Sequence, residues 1–92
     1  MYGTVMTGRL RGSFDDAIKE LRDWEASRNV PGYVDSQLLL SDDGRTMVNT
    51  VRFTDRAAYE ALADDPAQAR WYEEHMAPLI DGDPTWTDGT WA

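Results

Sequence analysis

From Tyr2 to Leu10, the residues Tyr2, Thr4, Met6, Gly8 and Leu10 alternate with Gly3, Val5, Thr7 and Arg9. That period of two predicts a strand, with neither face strongly apolar. Gly12-Ser13 breaks it, and Ser13 with Asp16 three residues on has the form of a helix start. A hydroxyl takes one free backbone N–H there, and acidic side chains oppose the positive helix end. Phe14, Ala17, Ile18, Leu21, Trp24 and Glu25 follow at helical spacing, so a helix is predicted from Phe14 to Arg28 with an apolar stripe broken only at its end. Pro31-Gly32 then turns the chain. A second strand is predicted from Tyr33 to Ser41 and its return from Arg45 to Thr54. Asp42-Asp43-Gly44 joins them as an Asp-Gly hairpin, in which both turn residues are expected to tolerate positive φ.

On the third strand Met47, Asn49, Val51 and Phe53 share one face, and Thr46, Val48, Thr50 and Arg52 share the other. The first face reads as the one under helices. Asp55 fits as the cap of a second helix carrying Ala58, Tyr59 and Leu62 inward, and Asp64-Asp65-Pro66 interrupts it, because proline suits a first helical turn. A continuation from Pro66 to Ile80 lines up Ala69, Tyr72, Met76 and Leu79. Asp81-Gly82-Asp83-Pro84 is expected to end that helix, Thr85 to Asp88 to form a last short strand, and Gly89 to Ala92 to be a tail. The pattern predicts one α+β domain over residues 1–92: a ferredoxin-like βαββαβ chain with a four-stranded antiparallel sheet and two helices on one face. Two helices leave the other face solvated or paired. Val48, the many threonines and the spare tryptophans favour pairing into a homodimer, with Val48 and either Trp86 or Trp91 at the contact.

Composition sharpens this picture. A chain of 92 residues has a thin core of its own, and four Trp, four Tyr and two Phe are many large apolar surfaces for it to cover alone. Nine Lys and Arg against 17 Asp and Glu give a net charge of −8, a field that repels phosphate backbones and anionic lipid heads. No nucleic-acid or membrane partner is expected. There is no cysteine, so disulfides and thiolate chemistry drop out. The first residues lack the positive region and apolar run of a signal peptide, and no stretch approaches a membrane span, so a cytoplasmic protein is expected.

The candidate chemistry is sparse. Asn49 interrupts an apolar strand face, where its amide must find partners or cost roughly 1–3 kcal/mol; it fits a holder of substrate oxygen or of a peroxo intermediate, and the alternatives are a core amide bonded to backbone or, with the strand faces reversed, an amide near water. Tyr59 and Tyr72 fit as hydroxyls that orient a phenolic substrate or stabilise an enolate, or as core tyrosines whose hydroxyls reach the surface. His75, four residues after Trp71 on one helical face, is the only imidazole and the one group suited by its ordinary pKa to move a proton near neutrality; a partly exposed surface histidine is the alternative. Arg70 can meet an anionic intermediate or pair with Glu73 and Glu74 at the surface. Caps and turns account for Asp15, Asp16, Asp42, Asp43, Asp64 and Asp65, and no metal is assigned. No phosphate-cradling loop, nucleophile elbow or metal-spaced histidine pair is present.

The succession Pro31-Gly32-Tyr33, Asp43-Gly44, Phe53, Tyr59, Asp65-Pro66 and Pro78-Leu79 resembles the antibiotic biosynthesis monooxygenase-like members of the dimeric α/β-barrel superfamily. That resemblance implies a small enzyme that oxidises anthrone-type aromatic polyketides with dioxygen and no cofactor. It implies a pocket between helices and sheet, with an Asn on the third strand, a Trp four residues on and a Tyr six further, where this chain has Asn49, Phe53 and Tyr59. Phe53 keeps an aromatic wall and loses the indole donor. Asn49, Tyr59, Tyr72 and His75 are the expected catalytic residues, with Phe53, Trp71 and Arg70 at the substrate. The haem-degrading relatives imply an Asn on the first strand, absent here, and a helical His ligand, for which His75 lies a few residues late. A polyketide cyclase or isomerase, and a non-catalytic dimer binding a small hydrophobic ligand, are the alternative readings.

Overall fold

The computed structural model describes every residue from Met1 to Ala92. In chain order it contains β1 (Tyr2–Leu10), α1 (Phe14–Ser27), β2 (Tyr33–Leu40), β3 (Thr46–Phe53), α2 (Arg56–Ala63), α3 (Pro66–Trp71) and β4 (Ile80–Thr90). A π-helical turn over Tyr72–Met76 and a 3-10 turn over Ala77–Leu79 join α3 to β4. The strands form one antiparallel sheet in the order β2-β3-β1-β4. This is the α+β, ferredoxin-like arrangement that the pattern of apolar positions predicts.

Pairing fixes which residues share a face. Met6 stands opposite Asn49 and Trp86, Thr4 opposite Val51 and Asp88, and Leu38 opposite Asn49, so these side chains share the helix-covered face. There α1 lays down its stripe of Ala17, Leu21 and Trp24, all buried. Ser13 caps that helix by accepting from the Asp16 N–H, and Asp55 caps α2 by accepting from Ala58. Met6, Ala17, Met47, Met76 and Ile80 form the core cluster toward one end of the sheet.

The hairpin between β2 and β3 differs in detail from its expectation. Only Gly44 has positive φ, at 75°, and Asp43 instead accepts from the Arg45 N–H. The Gly44 N–H closes the turn on the Ser41 carbonyl, and Ser41 itself pairs with Thr46. The loop is thus longer than two residues, and one left-handed position suffices.

The segment after Pro66 departs further. Regular α-helix stops at Trp71, where the chain widens so that the Ala77 N–H reaches the Tyr72 carbonyl five residues back. Pro78 explains the change: lacking an N–H, it cannot continue an α-helical ladder, and it sits at the start of the tighter 3-10 turn.

The last strand is neither short nor confined to Thr85 to Asp88. β4 starts at Ile80 and is the longest strand, at 11 residues. Between Thr7 and Arg9 of β1 lies Gly8 alone, whereas Gly82, Asp83 and Pro84 lie between their partners Thr85 and Asp81. The surplus is absorbed by a bulge around Gly82, whose φ is 75°. A Cβ on Gly8 would approach Ile80 Cγ2 to 3.1 Å and Pro84 Cβ to 3.4 Å, so the glycine lets the bulge lie down on β1. Pro84 is tolerated because β4 is an edge strand. The residues that look like a helix-ending loop in the sequence are the bulge.

The same register corrects one tryptophan. Trp86 projects to the helix side, not to the bare face where a dimer contact is expected. Trp91 does reach the bare face: its ring lies against Gly3 and its indole N–H donates to the Val51 carbonyl at 3.2 Å.

Candidate functional site

Beyond the core cluster, sheet and helices part to leave a cavity of about 560 Å³. That lies within the range of about 300–1,000 Å³ usual for small-molecule sites. Its floor is Thr4, Met6, Asn49, Val51, Phe53 and Trp86 from the sheet, and its walls come from Leu21 and Trp24 of α1, Tyr59 and Leu62 of α2, and Gln68, Ala69, Trp71, Tyr72, Glu73 and Met76 from the segment after Pro66. A smaller hollow of about 420 Å³ lies near the Pro31-Gly32 turn, partly bounded by Asp55 and Asp65. Those two carboxylates are already engaged in helix caps, and Asp65 also pairs with Arg28.

Aromatic rings make the larger cavity stiff. Trp24 lies 5.9 Å from Trp71 and meets Tyr33 edge to face at 5.0 Å; Phe53 meets Tyr33 at 5.8 Å and Tyr59 at 5.5 Å, between ring centroids. Across the floor Tyr72 and Trp86 meet nearly edge to face at 5.8 Å. Such rings offer flat apolar faces to a planar ligand.

Most polar atoms in this shell are already partnered. The Trp24 indole N–H donates to Gln68 Oε1 at 2.9 Å. The Tyr33 hydroxyl donates to Glu25 and lies 2.7 Å from Ser36 Oγ, and the Tyr59 hydroxyl donates to Asp88 at 2.8 Å. Burial first, and the Asp88 carboxylate second, push the Tyr59 phenol up to about 12. Tyr33 is raised as well, by burial and by its bond to Glu25. Two buried atoms have no partner: the Asn49 carboxamide oxygen and the Tyr72 hydroxyl. Burial raises the Tyr72 pKa and the nearby Asp83 charge adds to it, so this phenol stays protonated.

The sequence candidates divide. Asn49, Phe53, Tyr59, Trp71 and Tyr72 all line the cavity. His75 does not: its ring stacks on the far side of Trp71 at 5.8 Å and 21°, its Nδ1 lies 2.9 Å from Glu20 Oε2, and its side chain is 42% exposed. The (i, i+4) spacing that joins His75 to Trp71 carries it toward α1 and away from the cavity. Arg70 also lies outside, exposed on α3, and forms no salt bridge with Glu73 or Glu74.

Trp24, Tyr33, Ser36, Gln68, Asp83 and Trp86 are wall residues that sequence reasoning did not mark. Trp24 sits on the predicted stripe of α1, which is a signal for burial and not for a site. Asp83 and Trp86 were hidden by the bulge, because three residues opposite one break the alternation by which a face is read.

Neither the sequence models of known families nor the curated proteins yield a match to this chain. Solved structures do. A monooxygenase from the gene ActVA-Orf6 of Streptomyces coelicolor, in complex with Nanaomycin D, is similar over 99% of this chain and 87% of its own, with a TM-score of 0.75 at 23% identity. SnoaB, a cofactor-independent oxygenase from Streptomyces nogalater, covers 99% of this chain and 94% of its own, with a TM-score of 0.73 at 18% identity. Rv0793 from Mycobacterium tuberculosis matches over 99% and 94%, with a TM-score of 0.71 at 18% identity. The fold is therefore the one found in antibiotic biosynthesis monooxygenase structures. At these identities the likeness is one of fold.

Proposed function

We propose that this chain is a cofactor-independent monooxygenase-like enzyme that acts on a small aromatic, polyketide-type substrate. The observation that carries the reading is the pair of buried, unpartnered polar atoms, Asn49 Oδ1 and the Tyr72 hydroxyl, in a mostly apolar, aromatic cavity. Each costs about 1–3 kcal/mol while unbonded, and a ligand with polar groups on a flat ring system would remove that cost. The fold shared with the Streptomyces enzymes supports the same class.

In this reading the substrate is an anthrone-like ring stacked among Trp71, Phe53 and Trp86. Loss of a proton leaves an enolate whose oxygen takes the Tyr72 hydroxyl as donor. Asp83 and Glu73 are the proton acceptors on the cavity wall. Dioxygen adds at the activated ring carbon and the hydroperoxide loses water, so that CH2 and O2 give C=O and H2O. The Asn49 amide faces the oxygen that is added, and Tyr59, kept protonated by its raised pKa, orients the ring. The aromatic walls exclude water from the carbanion.

Oxygen uptake over an anthrone panel tests this. Turnover is expected from the native chain, with Asn49→Ala lowering kcat by about a hundredfold and Tyr59→Phe by less. Turnover untouched in both variants puts the site elsewhere. Phe53, which has no N–H donor, favours a second reading in which the chain holds an aromatic ligand without reacting it. Tight binding with no oxygen uptake selects that reading.

The bare face of the sheet supports a homodimer. Leu39 is 64% exposed there, beside Val48, and no helix covers either. Two copies meeting through this face would bury both residues and leave one cavity in each subunit.

A further inference from the structure

The charged groups that line the cavity are both of one sign. Glu73 and Asp83 line it, no Lys, Arg or His does, and the carboxylates of Glu25 and Asp88 stand behind the Tyr33 and Tyr59 hydroxyls. Glu25 is neutralised by Arg22 and bonded to Tyr33, and Asp88 is bonded to Tyr59. Asp83 has no such partner among the salt bridges or hydrogen bonds of the chain. The bulge around Gly82 holds it at the rim, three residues before Trp86, and its charge reaches the buried Tyr72 hydroxyl. Asn49 Oδ1, which lacks a donor, lines the same cavity. A carboxylate and a carboxamide oxygen are both acceptors, so the unmet demand is for ligand hydroxyls. A ligand carboxylate would enter against Asp83 and Glu73 with no cation to receive it.

We infer that Asp83 is the specificity-determining residue of the cavity: it accepts a hydrogen bond from the hydroxyl of an uncharged aromatic ligand seated against Trp86, and it turns away ligands that carry a carboxylate. This rests on the aromatic-ligand reading above and names its substrate class, a neutral hydroxyarene.

Trp24, Trp71 and Trp86 all line the cavity, so quenching of tryptophan fluorescence reports occupancy directly. Three probes suffice: an anthraquinone with a hydroxyl remote from its carbonyls, its methyl ether, and its carboxylated analogue. The native chain is expected to bind the hydroxyl compound about tenfold or more tightly than either of the others, the size of one hydrogen bond to a charged group. Asp83→Ala should bring all three affinities to within about threefold of one another. Asp83→Asn, which keeps an acceptor and removes the charge, should retain part of the preference over the ether and lose the exclusion of the carboxylate. Glu74→Gln, on the same turn as Glu73 but outside the cavity, should leave the order of the three unchanged. A native chain that binds the carboxylated probe as well as the hydroxyl one, or an order that survives in Asp83→Ala, overturns the assignment of Asp83 alone. Failure of all three probes to bind the native chain overturns the aromatic-ligand reading beneath it.

Discussion

The face of the sheet beneath the helices and the face left bare are built from alternate residues of the same four strands, and they leave opposite kinds of atoms unmet. On the covered face the core apolar groups are satisfied: Met6, Met47 and Phe53 are almost wholly buried, while Trp86 at the cavity is 49% exposed. The buried atoms left without a partner there are polar, the Asn49 oxygen and the Tyr72 hydroxyl. On the bare face the polar groups are satisfied: Arg52 holds Asp35 through both Nε and Nη2, and Thr50 donates to the Gln37 carbonyl at 3.5 Å. What remains open there is apolar, Leu39 with Val48 behind it. The two kinds of vacancy call for different occupants. Unbonded polar atoms in a mostly apolar cavity suit a small molecule that brings its own polar groups, and exposed aliphatic side chains on a pleated surface suit another such surface.

The packing of the covered face is tested most directly at Phe53. It is 1% exposed and links Tyr33 to Tyr59 through edge contacts, so Phe53→Ala is expected to cost about 3–5 kcal/mol, read from the urea midpoint. A loss under 1 kcal/mol would mean that the aromatic wall is not a packed unit. Asn49 should behave in the opposite way. Asn49→Leu removes an unbonded buried amide and is expected to stabilise the chain by about 1 kcal/mol while abolishing oxygen uptake. Destabilisation by that change would show that the amide has a structural role and that the covered face is less open than it looks.

A pH titration probes the same wall more gently. Native Tyr59 holds its proton to about 12, and Tyr33 is raised too, whereas an unfolded tyrosine ionises near 10. Between about pH 10 and 12 the unfolded chain therefore binds fewer protons than the native one, and stability must fall as pH rises through that window. Below it these phenols contribute their full stabilisation and no pH dependence. Urea midpoints measured across the window should fall less steeply in Tyr59→Phe. An unchanged slope would mean that Tyr59 is not shielded as the cavity geometry requires.

How much of this was legible beforehand follows from periodicity. Strand pairs with unbroken alternation, such as Met47 to Phe53, announce their faces, so Asn49 could be recognised as a polar residue on the covered side and Val48 as its opposite. Helix caps at Ser13 and Asp55 were equally local and equally readable. The differences in element bounds and strand faces share one cause, a local device that changes the count. Pro78 and the π turn alter residues per turn after Trp71, and the Gly82 bulge puts three residues against one. Both lie between Tyr72 and Trp86, the stretch that supplies the rim of the cavity. Trp86 and Asp83 were misread because parity cannot be carried across a bulge. His75 and Arg70 stand apart for a different reason: their chemistry suggests a role, and helical geometry turns them outward, in line with the surface reading that stands beside it.

The smallest effect expected on the isolated chain is at Leu39, and it sharpens the comparison most on the bare side. A side chain 64% exposed contributes little to the fold of one subunit, so Leu39→Ser should shift its intrinsic stability by no more than about 0.5 kcal/mol. If two copies close through this face, each loses one leucine and the dimer loses two, and burying one leucine is worth about 1.5–3 kcal/mol. Self-association should therefore weaken by well over tenfold while the dilute chain unfolds at nearly the same urea concentration. Sedimentation equilibrium at several protein concentrations separates the two quantities. A substitution that lowers the stability of the dilute chain, without changing its mass distribution, would place Leu39 in the packing of a single subunit and remove the main apolar vacancy from the bare face.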